Sequence, residues 1–467
     1  MSDTPVVAVL GGGISGLAAA HRLTQLPQAP RVVLIEAGDR LGGCIRSAEV
    51  AGVEIDTGPD SILARVPWGR DLLVQLRQED ELVSPARVGA HLWIRGALRP
   101  LPAGLMSGHA RPAAIRRAGL LTLRGQLRAG LDFVLPGAPP AQDESIADAI
   151  GRRLGHEAVS AIADPLLGGV YAGAVENLSS RAAMPAVAQA RAQGGSLLRA
   201  LRAGAPPPSP DKPVFVSLRA GLAELPRLLE AELRAAGSQI LLNHAAKALR
   251  PTQRGVEIEI SGRESLGVDA VVLATPADAA ADLLGAQAAV AAERLAQIKH
   301  ANVAIVTMAF ERASLPPLPA STGFLAGRAA GLSISACSLM SQKWPHIAPD
   351  GPFLLRCSLG RVDADPVGDD RALIARARAD LRLTLGIEAA PIDTRIERYE
   401  HVLPQHDVGH LERFAQIEGG VTAVLPRVVV AGAWTRGIGI AACVRDGRRA
   451  AEAAIMTLDS SPLGADA

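Results

Sequence analysis

A glycine-rich turn near the N-terminus has the residue types and spacing of a site that binds a dinucleotide. Gly11, Gly13 and Gly16 form the pattern G-x-G-x-x-G, and Glu36 follows about 20 residues later. The first glycine permits a tight turn, the second lets the backbone approach a pyrophosphate, and the third lets a helix pack closely on a strand. The carboxylate of Glu36 is placed to accept hydrogen bonds from ribose hydroxyls, which suits FAD as well as NAD.

The segments around this turn have the pattern of a strand, a helix and a second strand. Residues 6–10 are apolar throughout, as in a buried parallel strand, and residues 32–35 repeat that pattern before Glu36. Between them we expect a helix that begins near Ser15, with its N-terminal amides facing the phosphates. A glycine-rich turn in another kind of α/β protein is the alternative, but the two strands and the acid favour the dinucleotide.

The residues after Glu36 separate the two dinucleotides by resemblance. Arg40, Gly42 and Gly43 continue the motif as R-x-G-G, and the whole resembles the FAD-binding start of the amine oxidase and protoporphyrinogen oxidase superfamily. The resemblance implies FAD rather than NAD. It also implies FAD contacts at Gly11, Gly12, Gly13, Ile14, Ser15, Gly16, Glu36, Ala37, Arg40, Gly42 and Gly43.

The same resemblance implies further FAD contacts later in the chain. Residues 58–61 read G-P-D-S, a turn sequence, and the matching turn of the superfamily lies against the flavin. Tyr399 packs on the flavin in one interpretation and in the ordinary core in another. The complete set implied beyond residue 43 is Gly58, Pro59, Asp60, Ser61, Ala246, Tyr399, Gly432, Ile438, Gly439 and Ile440.

The order of strands and helices, read with this resemblance, implies an α/β fold with three parts, as in amine oxidases and p-hydroxybenzoate hydroxylase. The parts are a discontinuous, Rossmann-like FAD-binding domain, a mixed-sheet substrate-binding domain and a helical domain. We expect them at residues 1–85, 211–276 and 416–467, at residues 277–415, and at residues 86–205, respectively.

Local signals add detail to this division. Residues 93–96 read as a short hairpin, and residues 97–104 read as a loop. In the helical part we expect breaks at Pro165 and at Gly168-Gly169, because both residue types interrupt helices. The proline-rich residues 206–210 predict a linker.

The bulk composition excludes several classes of function. The 467 residues carry a net charge of +1, so no strong attraction to nucleic acid is expected. Four scattered cysteines without a C-x-x-C pair argue against a metal site or disulfide framework and fit a reducing compartment. We find no run of about 18 apolar residues and no room for a signal peptide before the first strand. We therefore expect a cytoplasmic protein, with peripheral membrane contact left open.

Three segments narrow the resemblance. Residues 165–173, PLLGGVYAG, are similar to the PLLSGIYAG signature of the protoporphyrinogen/coproporphyrinogen oxidase family. Residues 343–346 (KWPH) and 403–410 (LPQHDVGH) resemble segments of its Gram-positive coproporphyrinogen III oxidase branch. The similarity covers essentially the whole chain. There are two departures: His406 stands where the family has a tyrosine, and Ala441-Ala442 replace Asn-Asp or Pro-Asp.

The resemblance implies a reaction on a porphyrinogen in haem biosynthesis. Flavin N5 would accept hydride from the bridging CH2 groups in three two-electron steps, and O2 would reoxidise the flavin with release of H2O2. The cofactor carries the difficult step, so no catalytic acid or base is assigned. A tetracarboxylate substrate needs cations at the pocket rim. The substrate-binding candidates are Arg65, Lys343 and Arg361, with Gly169 offering a backbone carbonyl to a pyrrole N–H.

Several alternatives stay open. Each candidate cation is otherwise an ordinary surface or structural charge. Protoporphyrinogen IX differs from coproporphyrinogen III in two side chains of one macrocycle, so the sequence does not separate these substrates. A flavin amine oxidase needs an aromatic cage, and aromatic residues make up only 3% of the chain. Residues 165–173 and 343–346 argue against a carotenoid desaturase. A non-catalytic carrier that hands a porphyrin to the next haem-pathway enzyme is the remaining alternative.

Overall fold

The computed structural model describes residues 4–86, 89–105, 109–204 and 213–459, so the linker predicted at residues 206–210 lies outside the described residues. The strands are β1 Val6–Leu10, β2 Arg31–Ile35, β3 Ser47–Val50, β4 Val53–Asp56, β5 Ile62–Leu63, β6 Leu82–Val83, β7 His91–Ile94, β8 Ala97–Pro100, β9 Phe215–Leu218, β10 Gln239–Leu241, β11 Ala246–Pro251, β12 Val256–Ile260, β13 Leu266–Val268, β14 Ala270–Leu273, β15 His300–Phe310, β16 Gly323–Ala326, β17 Ile334–Ser338, β18 Phe353–Leu359, β19 Asp393–Pro404 and β20 Val428–Val430. The α-helices are α1 Ile14–Thr24, α2 Pro67–Gln75, α3 Pro112–Ala118, α4 Leu123–Gly130, α5 Ile146–Leu154, α6 His156–Ala158, α7 Asp164–Tyr171, α8 Ser180–Ala183, α9 Pro185–Ala192, α10 Leu197–Gly204, α11 Glu224–Ala235, α12 Ala277–Leu284, α13 Ala289–Ala296, α14 Met340–Lys343, α15 Asp370–Leu385, α16 His410–Val424, α17 Ala433–Arg436 and α18 Ile440–Asp459.

A parallel sheet underlies the glycine-rich turn, with the order β10-β2-β1-β14-β20 in the described part of the chain. Its four pairings are all parallel. The strands are almost wholly apolar because both faces are covered, as parallel sheets require. Leu17 of α1 and Val444 of α18 pack on one face, and Phe414 and Trp434 pack on the other. The strands predicted around the turn, and the helix predicted near Ser15, are confirmed.

This sheet draws its strands from three distant pieces of chain. β1 and β2 come from the N-terminal piece, β10 and β14 from the middle, and β20 from the C-terminal piece. Strand β1 therefore pairs with β2 on one side and with β14, more than half the chain away, on the other. A ligand bound at the end of β1 lies where all three pieces meet.

A second, mixed sheet has the order β19-β15-β18-β17-β16-β7-β8 among the described residues. Helix α15 covers one face, where Leu373 and Leu381 pack with Val306 and Leu355. Strand β18 lies at the centre of this sheet, between β15 and β17. The sheet also takes in β7 and β8, which the sequence division grouped with the helices.

The hairpin predicted at residues 93–96 is confirmed, but the loop predicted at residues 97–104 is wrong in its first half. Arg95 and Gly96 both have positive φ, 51° and 73°, which is the turn geometry that matches the twist of paired strands. The chain after the turn therefore returns along β7 as β8.

The helical segment is continuous at the place where sequence signals predicted breaks. Helix α6, a π-helical turn at Val159–Ala163 and α7 follow one another directly. Pro165 lies in the first turn of α7, and the wide turn before it accommodates a ring that has no N–H to donate. Gly168 and Gly169 continue the helix, which ends instead at Ala172, where φ is 48°. Over the residues that the structure describes, no helix is both long enough and apolar enough to cross a bilayer.

Candidate active site

The turn after β1 is shaped by contacts that only glycine allows. Gly11 has a φ of 101°, in the left-handed region. A Cβ on Gly16 would lie 1.9 Å from the carbonyl oxygen of Gly11, so α1 can approach β1 only without a side chain there. A Cβ on Gly13 would meet nothing within 4 Å, which leaves an open cradle at the helix N-terminus. Free amides in such a cradle suit a phosphate.

Glu36 stands beside this cradle with its carboxylate held in place. Oε2 accepts a hydrogen bond of 2.6 Å from the amide of Gly12, and Oε1 accepts one of 2.7 Å from Gly38. Each carboxylate oxygen has about two acceptor positions, so one on each oxygen stays open for a ribose hydroxyl. Ala246 begins β11 close by, because the amides of Asn243 and His244 bond to the carbonyls of Gly38 and Glu36.

Arg40 braces the loop that follows instead of pointing into the cradle. Its guanidinium donates to the carbonyls of Leu41, Gly43 and Ile45, at 2.9, 2.6 and 3.2 Å. The amide of Gly42 in turn donates to the carbonyl of Gly12 at 2.8 Å. The R-x-G-G segment is thereby fixed against the glycine-rich turn.

The G-P-D-S turn continues directly from this loop. A Cβ on Gly58 would lie 2.0 Å from the carbonyl oxygen of Cys44 and 3.1 Å from the hydroxyl of Tyr399. The Arg46 guanidinium lies 5.2 Å above the Tyr399 ring. Tyr399 therefore touches the turn that the resemblance places against the flavin.

Asp60 of this turn is the centre of a buried ion-pair cluster. The Lys343 ammonium donates to both carboxylate oxygens at 2.9 and 2.8 Å, and the Trp344 indole N–H donates at 3.1 Å. The Ser61 hydroxyl donates at 3.2 Å, and an Arg356 nitrogen lies 3.6 Å away. Although burial alone would raise it, the charges of Lys343 and Arg356 hold the pKa of Asp60 well below its usual range. The charge of Lys343, expected at the rim, is thus already paired.

The C-terminal turn, residues 432–440, is held by a carboxylate that sequence reasoning missed. Asp446 of α18 accepts hydrogen bonds from the amide of Gly432 at 3.0 Å and from the Thr435 hydroxyl at 2.7 Å. Arg449 donates to the same carboxylate at 3.0 Å. A Cβ on Gly439 would meet nothing within 4 Å, so this turn also leaves open space.

Two stacked histidines support the same turn from behind. The rings of His406 and His410 lie 4.1 Å apart at 18°. Their Nε2 atoms bond the carbonyls of Ala433 and Thr435 at 3.0 and 2.8 Å, whereas both Nδ1 atoms have no partner. Burial, followed by the charge of His410, lowers the pKa of His406 to about 3. Burial also lowers the pKa of His410, so both rings are neutral near pH 7. The Tyr171 ring meets His406 edge-on at 5.8 Å.

Arg361 is the substrate candidate with an unused donor. It is only 6% exposed, and its Nη2 donates to the carbonyl of Ala326 at 2.7 Å. Its Nη1 is buried without a partner and lies 2.7 Å from where a Cβ on Gly168 would be. Gly169, the next residue, faces Leu325, whose Cδ2 is 2.6 Å from a Cβ placed there. The structure therefore brings Arg361 and the Gly168-Gly169 helix together.

Helix α7 also contacts the C-terminal turn, which is a candidate to bind the flavin. Ile438 of the C-terminal turn packs against the apolar cluster that contains Leu167 and Tyr171 of α7. Arg65 is exposed, and within the described residues it forms no ion pair or hydrogen bond with the other candidates. Ala441 and Ala442 are the second departure from the family. The Cβ of Ala441 lies 3.5 Å from where a Cβ on Gly69 would be, and the Cβ of Ala442 lies 3.3 Å from where a Cβ on Gly437 would be.

One sequence signal could have identified a missed residue. Arg356 is the one charged residue of the mostly apolar strand at residues 353–359, and a charge in a buried strand requires a partner. Asp446 and His410 carry no comparable signal, because both lie in helices and their contacts with the C-terminal turn are made only by folding.

The open cradle, the ribose-ready carboxylate of Glu36 and the open C-terminal turn form a site with the chemistry of a dinucleotide pocket. Apolar helix α7 and the buried donor of Arg361 adjoin it. The residues that form this site therefore fit FAD. Separately, the described residues hold no cluster of three or more side chains suited to a metal ion.

Comparisons with known proteins extend this site to the whole chain. The family model for flavin containing amine oxidoreductase matches residues 14–455. Coproporphyrinogen III oxidase of Bacillus subtilis (strain 168) is 30% identical, covering 97% of this chain and 98% of its own. Protoporphyrinogen oxidase of Homo sapiens is 31% identical, covering 97% and 99%. A crystal structure assigned to a protoporphyrinogen oxidase from Exiguobacterium sp. 255-15 has a TM-score of 0.86 at 30% identity, covering 98% and 99%.

Proposed function

The chain belongs to the family of flavin containing amine oxidoreductases, and from that premise we propose that it is an FAD-dependent coproporphyrinogen III oxidase of haem biosynthesis. The observation that carries the proposal is the similarity to the Bacillus subtilis enzyme of that name over nearly both chains. Protoporphyrinogen IX is the second candidate substrate, because the human protoporphyrinogen oxidase is as similar.

The proposed reaction converts coproporphyrinogen III to coproporphyrin III. Bound FAD supplies the hydride acceptor. Three two-electron oxidations remove six electrons and six hydrogens from the macrocycle, and three O2 molecules take them up as three H2O2. The residues of this chain contribute binding, orientation and exclusion of water. Transfer of the flat porphyrin product to the next enzyme of the haem pathway is part of the proposal.

We assign FAD to the meeting point of the three chain pieces that build the parallel sheet. Glu36 would hold the ribose, the α1 N-terminus the pyrophosphate, and the turns at residues 58–61 and 432–440 the flavin. Arg40 acts by bracing the loop between them. The FAD-binding, helical and substrate-binding domains are proposed with the ranges given above, except that residues 91–100 are assigned to the substrate-binding sheet.

Arg361 and Gly169 are proposed to bind the substrate. The free Nη1 of Arg361 would donate to a carboxylate of the tetracarboxylate, and a charge-assisted bond of this kind is among the stronger hydrogen bonds. The carbonyl of Gly169 would accept from a pyrrole N–H. Arg65, which is exposed and unpaired in the described structure, is proposed as a second rim cation.

The test is to mix purified, FAD-loaded protein with freshly reduced coproporphyrinogen III or protoporphyrinogen IX in air. Porphyrin fluorescence and peroxide are followed together. We expect a higher kcat/KM for coproporphyrinogen III and one H2O2 for each two electrons removed. Preference for protoporphyrinogen IX would support the second candidate. Flavin-loaded protein that oxidises neither compound would contradict the proposed function.

The helical segment presents a surface suited to an anionic membrane. Leu123, Leu127 and Val134 are 73%, 74% and 74% exposed, and Leu131 and Phe133 lie beside them. Asp132 is the only acidic residue between positions 99 and 142, and it is buried against Arg153. An exposed apolar stripe among arginines matches the chemistry of an anionic lipid interface. We propose that this stripe, defined as Leu123, Leu127, Leu131, Phe133 and Val134, makes a peripheral membrane contact.

Sedimentation with vesicles tests this contact. We expect binding to phosphatidylglycerol vesicles, weaker binding to phosphatidylcholine vesicles, and loss of binding in Leu127→Glu/Val134→Glu. Leu383→Glu is the matched control, because Leu383 is 64% exposed on α15, outside the stripe. Equal binding by the double variant and the wild type would contradict the contact.

A further inference from the structure

We propose that Lys343 and Arg356 are positioning residues that act through Asp60. They would hold the 58–61 turn against the flavin instead of binding the substrate. The inference rests on the proposed flavin site. It reassigns Lys343, which residue type alone placed at the substrate rim.

The carboxylate of Asp60 has no capacity left for a ligand. Lys343 donates to both oxygens, Ser61 donates to Oδ1 and Trp344 donates to Oδ2. An ionised carboxylate accepts about four hydrogen bonds, and these four contacts use that number. Asp60 therefore faces the protein, and it is the backbone of the turn that is left to face a cofactor.

Arg356 also holds that backbone in place. Its Nη1 donates to the carbonyls of Asp56 and Gly58, at 2.8 and 2.6 Å, while its Nη2 stands 3.6 Å from Asp60. Arg356 belongs to β18, which is paired on both sides, with Thr307 of β15 and Ser338 of β17 opposite it. A rigid strand thus sets the position of one carbonyl at the end of β4 and one in the turn.

The segment that carries Lys343 and Trp344 is equally rigid. Trp344 is 2% exposed and packs with Val50, Ile55 and Leu354 in one buried cluster. Lys343 precedes it at the end of α14, and its side chain is 15% exposed. Lys343 and Trp344 therefore donate to Asp60 from elements that the core holds in place, the arrangement that positions a site accurately.

Lys343 already gives two of its three N–H donors to Asp60, so a substrate carboxylate would have to compete with Asp60 for its charge. Asp60 is 6% exposed, and a buried charge that loses its partner is strongly destabilising. A rim cation without a partner, such as Arg65, carries no such penalty. The geometry therefore separates two classes of cation in this site: Arg65 and Arg361 for the substrate, and Lys343 and Arg356 for the turn.

The experiment compares Lys343→Met, Asp60→Asn and the double variant. FAD affinity is measured by titrating apoprotein, the visible flavin spectrum is recorded without substrate, and kcat and KM are determined separately. We expect each single variant to weaken FAD binding about tenfold, to shift the spectrum and to lower kcat, with KM changed less than twofold. The double variant should resemble a single variant, because both changes break the same Lys343–Asp60 pair.

Lys299→Met is the matched control. The Lys299 side chain is 63% exposed, and its ion pair with Asp407 is long, at 3.6 Å. Its loss should therefore alter neither the flavin spectrum nor the affinity for FAD. If Lys343→Met does not accumulate as folded protein, Lys343→Arg should retain the wild-type spectrum. Trp344→Phe, which removes one donor to Asp60, should shift that spectrum.

Two results would overturn the inference. One is a KM for coproporphyrinogen III raised tenfold or more in Lys343→Met, with spectrum and FAD affinity unchanged. The other is an unchanged spectrum and FAD affinity in all these variants. The flavin measurements need no porphyrinogen, so they stand even if the proposed substrate is wrong. Wild-type apoprotein that fails to bind FAD would instead contradict the proposed function.

Discussion

At the scale of single residues, Arg361 combines a buried charge with an unused hydrogen-bond donor. A buried donor without a partner is costly, so such a group is expected to meet a ligand. We predict that Arg361→Met raises KM for coproporphyrinogen III about tenfold or more, since a bond to a charged group contributes about 1.5–3 kcal/mol. The FAD spectrum should not change, because Arg361 touches α7 and β16 and none of the flavin turns.

Steady-state kinetics over a range of substrate concentrations measure this effect. Arg371→Met serves as the control, because Arg371 is an exposed arginine of α15. Equal KM values for Arg361→Met and Arg371→Met would show that the Nη1 of Arg361 does not reach the substrate.

His406 makes stability depend on pH in a defined direction. Its folded-state pKa is about 3, against 6.5 in the unfolded chain. The unfolded state therefore binds more protons between these values, and folding stability falls as pH is lowered through that window. At pH 5 the loss from this ring amounts to about 2 kcal/mol relative to pH 7.

Urea unfolding at pH 7 and pH 5 measures this dependence. His406→Phe removes the titrating group, although it also loses the bond to Ala433. We expect the variant to be less stable at pH 7 and to lose less stability on acidification than the wild type. Burial also lowers the pKa of His410 and of His21. Both residues are present in the variant, so it should still lose some stability on acidification. Parallel pH profiles for the two proteins would show that the His406 pKa is not depressed.

At the scale of elements, the sequence predicted those helices and turns whose formation depends on neighbouring residues. The strand–turn–helix around Gly11 to Gly16 was predictable because each glycine has a steric reason visible in the motif. The continuous helix at Pro165 was not, because a π-helical turn that accommodates the ring has no signature in the sequence. Strand β8 was missed because its pairing depends on the positive φ of Arg95, an uncommon conformation for that residue type.

The same site shows where residue type is insufficient. Lysine at position 343 was singled out by its residue type as a substrate-binding candidate, but its partner, Asp60, lies 283 positions away in the chain. Which carboxylate pairs with this lysine is decided by the packing of the helix and the turn that carry the two residues. Periodicity and spacing contain no information about that contact.

The close packing of α1 on β1 gives a prediction for glycine substitutions in helices. In Gly16→Ala the new Cβ would lie 1.9 Å from a backbone oxygen, so the helix must move away from the strand. We expect a loss of about 3 kcal/mol in stability and a loss of FAD binding. In Gly419→Ala, on the exposed face of α16, the Cβ meets nothing within 4 Å. Alanine there should stabilise the protein by about 0.5–1 kcal/mol.

Denaturant unfolding and FAD titration of the two variants check this contrast. Both replace glycine by alanine within a helix, so intrinsic propensity alone would stabilise both. Retained FAD affinity in Gly16→Ala would mean that the helix N-terminus does not hold the pyrophosphate.

At the scale of the whole molecule, carboxylates from distant segments tie the pieces together. Asp56 of β4 accepts hydrogen bonds from the amides of Leu222 and Ala223, at 2.9 and 3.0 Å. Glu452 of α18 accepts a hydrogen bond from Arg22 of α1 at 3.0 Å. Such contacts join the N-terminal, middle and C-terminal pieces around the parallel sheet. A ligand at their junction should therefore stabilise all three pieces together.

Hydrogen exchange of the protein with and without FAD tests this coupling. We expect FAD to increase protection in residues 6–43, 239–246 and 428–440 together, because each segment contributes to the proposed pocket. Loading should also raise the unfolding free energy by about 2.7 kcal/mol when free FAD is a hundred times its Kd. Helix α4, outside the pocket, is the internal control and should exchange equally in both states. Protection confined to residues 6–43 would show that the glycine-rich turn binds FAD alone, and the discontinuous domain would then lose its functional basis.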